Sequence, residues 1–243
     1  MPVCLEYKYL IIHNMRARQR HFPYKASGAL LSYDARYIAG SNGSEISTWE
    51  NRSSTSYSLT QSTSTNRPLL QTGTNGINNQ NAVKFDGIDD NLSAVAPIVT
   101  YITLVAVGKF TSANPMVFRH GPSAGFSFSG TSNSAWLISR ASIHSASGVS
   151  QWMGSDSAVA SFVYDGNGTY YKNGIAQNNG TISGTSQINQ RYVSSFIVSW
   201  DPVASKFSDG LLGILLLYLG NKNDSLRKRT EHASSYSYKL ACS

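Results

Sequence analysis

Residues 82–90, AVKFDGIDD, decide the fold of this chain. Val83 and Phe85 alternate onto one face of a strand and Asp86-Gly87 supplies a tight turn. Asp89 and Asp90 add two more carboxylates before Leu92 resumes an apolar pattern. The stretch predicts a strand that ends in a sharp acidic corner, with Phe85 in the core. The same period of two governs residues 101–110, YITLVAVGKF: Ile102, Leu104, Ala106 and Phe110 share one face, and Tyr101, Thr103, Val105, Val107 and Lys109 the other.

Further strands are predicted over residues 30–35, 115–119, 125–129, 135–140, 158–165, 169–172 and 195–200. Asp165-Gly166-Asn167-Gly168 and Asn173-Gly174 are hairpin turns, because Asn and Gly tolerate the positive φ angles that tight turns demand. The apolar run over residues 211–219 is shorter than the roughly 20 residues a bilayer requires and reads as a buried central strand. One helix starts near Asn223 or Asp224, whose side chain caps the open amides of a first turn. The chain has 243 residues, of which roughly 70 are Ser, Thr or Asn and only 14% are charged. That is the composition of many short strands joined by polar turns, at a length ordinary for one large all-β sandwich.

The acidic corner is one of several segments that resemble the concanavalin A-like lectin/glucanase superfamily, in its bacterial and phage branch of LamG-like jelly-roll domains. Residues 46–54, ISTWENRSS, and 59–70, LTQSTSTNRPLL, are similar to that branch's Trp-containing segment and its Arg-Pro strand start. Residues 209–218, DGLLGILLLY, resemble its closing strand, with Ile214 where an acidic residue is usual. Asp224, Ser225, Arg227 and Glu231 fall at the spacing of its short terminal helix, and Tyr236-Ser237-Tyr238-Lys239 resembles its last turn. The resemblance implies a two-sheet antiparallel jelly-roll β-sandwich with a short C-terminal helix, spanning residues 29–240 after a basic extension over residues 1–28 that is expected to be poorly ordered.

The net charge of +7 resides at the two ends. Residues 1–28 hold five Lys and Arg against Glu6, residues 221–243 five against Asp224 and Glu231, and residues 29–220 ten basic against ten acidic. A neutral body argues against a nucleic-acid groove, which needs clustered cations along one face. Leu10-Ile11-Ile12 is too short for the apolar region of a secretory signal. Cys4 and Cys242 lie at opposite ends, either bridged in an oxidising compartment or as two separate thiols.

A glycan hydrolase on this scaffold needs two carboxylates flanking the scissile bond, which the superfamily's hydrolases carry as Glu-x-Asp-x-x-Glu. The only glutamates, Glu6, Glu45, Glu50 and Glu231, have no acidic partner two residues away, so the expectation is a chain that is not an enzyme. TYYKNGIAQ (169–177) and Gln187-Ile188-Asn189 are superficially similar to the strands of jelly-roll alginate lyases, without their histidine or Arg-x-Glu-x-Arg strand. His13, His21, His120, His144 and His232 form no pair at zinc-ligand spacing. Asp86, Asp89 and Asp90 form a set of closely spaced hard oxygens that suits calcium; the same carboxylates can instead accept backbone N–H bonds and fix the corner. No cofactor is required.

Sugar binding needs aromatic faces for stacking beside amides or hydroxyls. The resemblance implies that Trp49, in the family's Trp-containing segment, is structural, and Trp200 ends an apolar strand and is expected to pack, whereas Trp136 and Trp152 lie among Ser and Gly and, with Tyr170 and Tyr171 behind them, are the expected ligand contacts. Asn-x-Ser/Thr sequons at Asn42, Asn51, Asn91, Asn167, Asn179 and Asn223 arise by chance in so Asn- and Ser-rich a chain. The expected function is a non-catalytic carbohydrate-binding or adhesion domain of a cell-surface, secreted or virion protein. Its partner would be a glycan or surface glycoconjugate, or another surface or virion protein. The alternative is a structural or assembly module of a surface or phage particle.

Overall fold

The computed structural model describes residues 28–96, 102–110, 118–120, 127–128, 134–139, 142–147, 156–164, 167–176, 182–183, 194–201, 206–220 and 224–240. In chain order the first strands are β1 (Ala29–Asp34), β2 (Thr48–Trp49), β3 (Leu59–Thr60), β4 (Leu69–Gln71), β5 (Ala82–Asp86), β6 (Leu92–Ala96) and β7 (Ile102–Phe110). Then come β8 (Phe118–His120), β9 (Ser127–Phe128), β10 (Ser134–Ser139), β11 (Ser142–Ser147), β12 (Ala158–Tyr164) and β13 (Asn167–Lys172). The last are β14 (Ile175–Ala176), β15 (Ile182–Ser183), β16 (Ser194–Val198), β17 (Trp200–Asp201), β18 (Lys206–Phe207) and β19 (Asp209–Leu219), followed by helix α1 (Asp224–Ser237).

The apolar run predicted to be central is so. β19 pairs along one edge with β7, from Gly210↔Phe110 to Leu219↔Ile102. Along the other edge it takes β5 over Asp209–Leu212 and β1 over Ile214–Tyr218. The larger sheet runs β14-β13-β12-β7-β19-β5-β4, with β1 on β19 and β15 on β13, and the smaller runs β2-β3-β6-β16-β8-β9. The ladders are antiparallel, and the fold is an all-β sandwich with one C-terminal helix, as expected.

Between the sheets lies a core that includes Tyr33, Trp49, Phe85, Leu104, Phe162 and Phe196, with the rings of Tyr33 and Trp49 5.7 Å apart. A second cluster, including Val105, Val107, Val159, Ile214, Leu216 and Tyr218, lies on the outer face of the larger sheet. Helix α1 packs against β7 and β12 on that side. Both faces of β7 and β19 are therefore buried, which is why their sequences run almost continuously apolar instead of alternating with polar residues.

The buried face of the helix is polar: Arg227, Thr230, Glu231, Ser234 and Ser235 are each buried, with Ala233 among them. Its charges neutralise one another. Arg227 donates to Glu231 Oε1 at 2.5 Å, Ser161 of β12 donates to the same oxygen, and the Arg227 guanidinium lies 3.5 Å from the centroid of Tyr171 on β13. Tyr238 closes the turn after the helix. Its hydroxyl donates to the Asn81 carbonyl at 2.8 Å, and its ring occupies the space above Gly213, where the pairing of β19 with β7 shifts register.

The predicted strand over residues 195–200 is broken at Ser199, whose φ of 80° turns the chain out of the smaller sheet into the β17–β18 hairpin. Both Asn173 and Gly174 have positive φ (51° and 85°), as the hairpin reading requires. The outer edge of β1 is closed by the loop at 51–55. Ser32 N–H donates to Asn51 Oδ1 at 2.8 Å, while Ser53 Oγ and Thr55 Oγ1 donate to the Leu30 carbonyl at 2.8 and 2.7 Å. The loop thus blocks an edge that would template pairing with another chain. Residues 1–27, and with them Cys4, as well as Cys242, lie outside the described residues.

Candidate functional site

Trp49, Leu59, Leu92 and Ala94 point from β2, β3 and β6 into the core. Because side chains alternate along a strand, Thr48, Thr60, Ser93 and Val95 stand on the opposite, outer face of the smaller sheet. Register sets three of them side by side: Thr48 pairs with Thr60, and Thr60 with Ser93. With Ser47, Gln61, Ser62 and Arg67 they line a groove of about 380 Å³. Val95, 65% exposed, continues the same face with an apolar surface.

One wall of the groove is held rigidly. Arg67 follows the short helical turn Ser64–Asn66 and donates from Nε to the Gln61 carbonyl at 3.1 Å and from Nη2 to the Ser62 carbonyl at 2.9 Å. Its Nη1 reaches Glu45 Oε2 at 3.3 Å. The Gln61 amide donates to Asn91 Oδ1 at 2.9 Å, and Asn91 Nδ2 donates to the Asp89 carbonyl at 3.0 Å. The floor of the groove is thereby hydrogen-bonded to the acidic corner that follows β5.

In that corner Gly87 has φ 81°, the left-handed conformation the Asp-Gly turn was expected to need. Asp86 Oδ1 accepts from the Ile88 N–H at 2.8 Å and from the Asp89 N–H at 3.4 Å, and Asp90 Oδ2 accepts from the Asp86 N–H at 3.0 Å. The carboxylates do fix the turn. They also bring ligand oxygens of Asp86, Asp89 and Asp90 within 4.8 Å of one another, and Asp86 Oδ2 and Asp90 Oδ1 lie outside these bonds. Hard oxygens at this separation fit a calcium-sized cation. Burial, with the charges of Asp86 and Asp89 alongside, pushes the Asp90 carboxyl up to about 6.

The other expected contacts are placed apart from the groove. Tyr171 is half-buried under Arg227, on the outer face of the larger sheet and so on the opposite side of the molecule. Tyr170 is the register partner of Phe162 in the same sheet. Trp136 lies in β10 opposite Ser145, in the hairpin adjoining β9, at the end of the smaller sheet farthest from β2. Trp152 lies outside the described residues. Trp49 is 1% exposed and packs in the core as predicted, and Trp200 pairs with Phe207. The groove residues Thr48, Thr60, Gln61, Arg67 and Ser93 were not singled out from sequence. Alternation at Thr48-Trp49 and Leu59-Thr60 marks one polar face on each strand, but only the register shows that the three hydroxyls adjoin.

This architecture defines a two-sheet antiparallel β-sandwich with one C-terminal helix, and comparison with solved structures agrees at that level. No family model and no curated protein matches the sequence. Among solved structures the chain is similar to a Trypanosoma rangeli sialidase in complex with 2,3-difluorosialic acid as a covalent intermediate, at TM-score 0.54 and 16% identity, over 86% of this chain and 33% of that one. It is also similar to the binding domain of Paraclostridial mosquitocidal protein 1, at TM-score 0.61 and 12% identity, over 87% and 53% of the two chains. The binding domain of botulinum neurotoxin DC in complex with rat synaptotagmin II matches at TM-score 0.55 and 10% identity, over 86% and 52%. The chain thus spans about a third of the sialidase and half of the toxin domains, and identities this low establish the fold alone.

These neighbours correct one expectation. The missing Glu-x-Asp-x-x-Glu strand implies a chain that is not an enzyme, yet the solved structures it resembles include sialidases, which are enzymes, matched over about a third of their length. The physical reason is that a sandwich can present reactive groups from many positions, so the absence of one carboxylate arrangement on one strand does not exclude catalysis. Among the described residues no helix is long and apolar enough to cross a membrane.

Proposed function

We propose that this chain is a LamG-like jelly-roll domain that binds carbohydrate or mediates adhesion for a cell-surface, secreted or virion protein, with a glycan or surface glycoconjugate held in the groove across β2, β3 and β6. The reading is carried by the row of hydroxyls at Thr48, Thr60 and Ser93 beside the Gln61 amide. Hydroxyls both donate and accept, which matches the vicinal hydroxyls of a pyranose, and Val95 offers an apolar surface to the sugar's C–H face. The whole chain on a broad glycan array is expected to give saturable binding. Thr60→Val combined with Ser93→Ala, both on the outer face, should weaken it about thirtyfold, since each lost hydrogen bond is worth about 1 kcal/mol. Binding that ignores this pair and disappears with Trp136→Ala or Trp152→Ala would move the site to the aromatic segments and overturn the groove.

Calcium at Asp86, Asp89 and Asp90 belongs to the same proposal, since it would brace the corner to which Asn91 ties the groove. Without a cation, Asp90 holds its proton up to about pH 6 in the folded chain, above its ordinary 3.8. The folded state binds more protons than the unfolded one between pH 4 and 6, so this group's contribution to stability falls as pH rises through that window, by on the order of 2 kcal/mol. Asp90→Asn should abolish that fall and raise the Tm at pH 7 in EDTA. Millimolar calcium should raise the Tm of the wild type and leave the Asn variant unchanged. A wild-type Tm indifferent to calcium and EDTA would remove the ion.

A further inference from the structure

We infer that the groove selects an anionic sugar, with Glu45 occupying the place of the ligand's acid group on Arg67. The inference rests on the groove reading above and adds the ligand class. Arg67 is the cation among the groove-lining residues, and its guanidinium plane is fixed by the bonds of Nε and Nη2 to the Gln61 and Ser62 carbonyls. Those bonds leave Nη1 directed at one carboxylate oxygen, Glu45 Oε2, at 3.3 Å. A guanidinium oriented by two backbone carbonyls is preorganised for an incoming anion, because its rotamer entropy is already lost.

Glu45 is fixed through its backbone and not through its exposed contact with Arg67. It bridges Leu69 through the main chain, and its neighbours are tied by Leu70 N–H to the Ser44 carbonyl at 2.8 Å and Ile46 N–H to the Pro68 carbonyl at 2.9 Å. The carboxylate itself is 51% exposed. An ion pair this exposed contributes little, so the side chain can swing into water without disturbing the fold. A ligand carboxylate or sulfate taking its place gains a charge-assisted bond to a fixed donor while its hydroxyls meet Thr48, Thr60 and Ser93. The acidic corner lies beyond Gln61 and Asn91, and a calcium ion bound there would neutralise the charge that repels such a ligand.

The test titrates the whole chain, with calcium present, against three oligosaccharides of equal length: a neutral one, a uronic acid and a sulfated one. The anionic arms are expected to bind about tenfold more tightly than the neutral arm, with an advantage that shrinks as salt is raised. Binding of the uronic acid but not the sulfated sugar names carboxylate as the recognised group, and the reverse names sulfate. Glu45→Gln should strengthen anionic binding by about two- to fivefold and leave neutral binding unchanged, because it removes only the competing charge. Arg67→Gln should bring the anionic arms down to the neutral level. If Arg67→Gln also loosens the groove, neutral binding falls with it, and Glu45→Gln decides. Equal binding of neutral and anionic sugars, or a Glu45→Gln effect common to all arms, overturns the inference and leaves the groove intact. No binding in any arm overturns the groove itself.

Discussion

Arg227→Ala is expected to cost about 3–5 kcal/mol of stability, because it strands the Glu231 carboxylate in a buried site. Glu231 is 5% exposed, and with Arg227 gone the bond it keeps among the described residues is from the Ser161 hydroxyl, too little to offset desolvation of a full charge. The helix should detach from β7 and β12 before the sandwich unfolds, exposing Val105, Val107 and Leu216. Replacing the whole polar set, with Arg227→Met, Glu231→Leu and Ser161→Ala together, should recover most of the loss, since a buried pair contributes little net stability over an apolar filling of similar volume. Urea melts of the single and triple variants check this. A loss below about 1 kcal/mol for Arg227→Ala would mean that the pair is hydrated and the helix only loosely docked. Sugar binding should be untouched in both variants, because the groove lies on the other sheet.

Gly213→Ala is expected to cost nearly as much, about 3–4 kcal/mol, by expelling the Tyr238 ring. A Cβ at position 213 would lie 2.5 Å from two atoms of that ring and 2.7 Å from its hydroxyl oxygen. The ring is fully buried and its hydroxyl is tied to the Asn81 carbonyl, so it has no room to give by small shifts. Tyr238→Phe, which removes the hydroxyl alone, should cost about 1 kcal/mol. The decisive measurement is a double-mutant cycle. Gly213→Ala made in a Tyr238→Ala background should be close to neutral, giving a coupling above about 2 kcal/mol, and additive losses would show that position 213 matters for the strand and not for the ring.

Much of the architecture was legible in the order of residues. Phe85 in the core, the Asp86-Gly87 turn, the Asn173-Gly174 hairpin and the central apolar strand each follow from local chemistry: side-chain period and positive-φ tolerance. The helix was found by its start and its spacing, but its role was not. A face of Arg227, Thr230, Glu231 and Ser234 reads as solvated, and it is buried because Ser161 and Tyr171 from two strands more than fifty residues upstream complete its bonds. The aromatic residues were favoured as ligand contacts for their stacking faces, yet Tyr171 is engaged by the helix and stands on the sheet opposite the groove.

The chain's own order of residues therefore settled the Asp86-Gly87 and Asn173-Gly174 turns, the central apolar strand, and that Asp86, Asp89 and Asp90 would cluster, because those outcomes depend on neighbours within a few positions. Which hydroxyls adjoin was decided only by tertiary structure. Thr48, Thr60 and Ser93 belong to three separate strands, Arg67 meets Glu45 across 22 positions, and Gln61 reaches Asn91 across 30. Strand alternation assigns a residue to a face, but the register between strands is set by the packing of both sheets against the shared core. A shift of one residue would have turned the whole polar row inward.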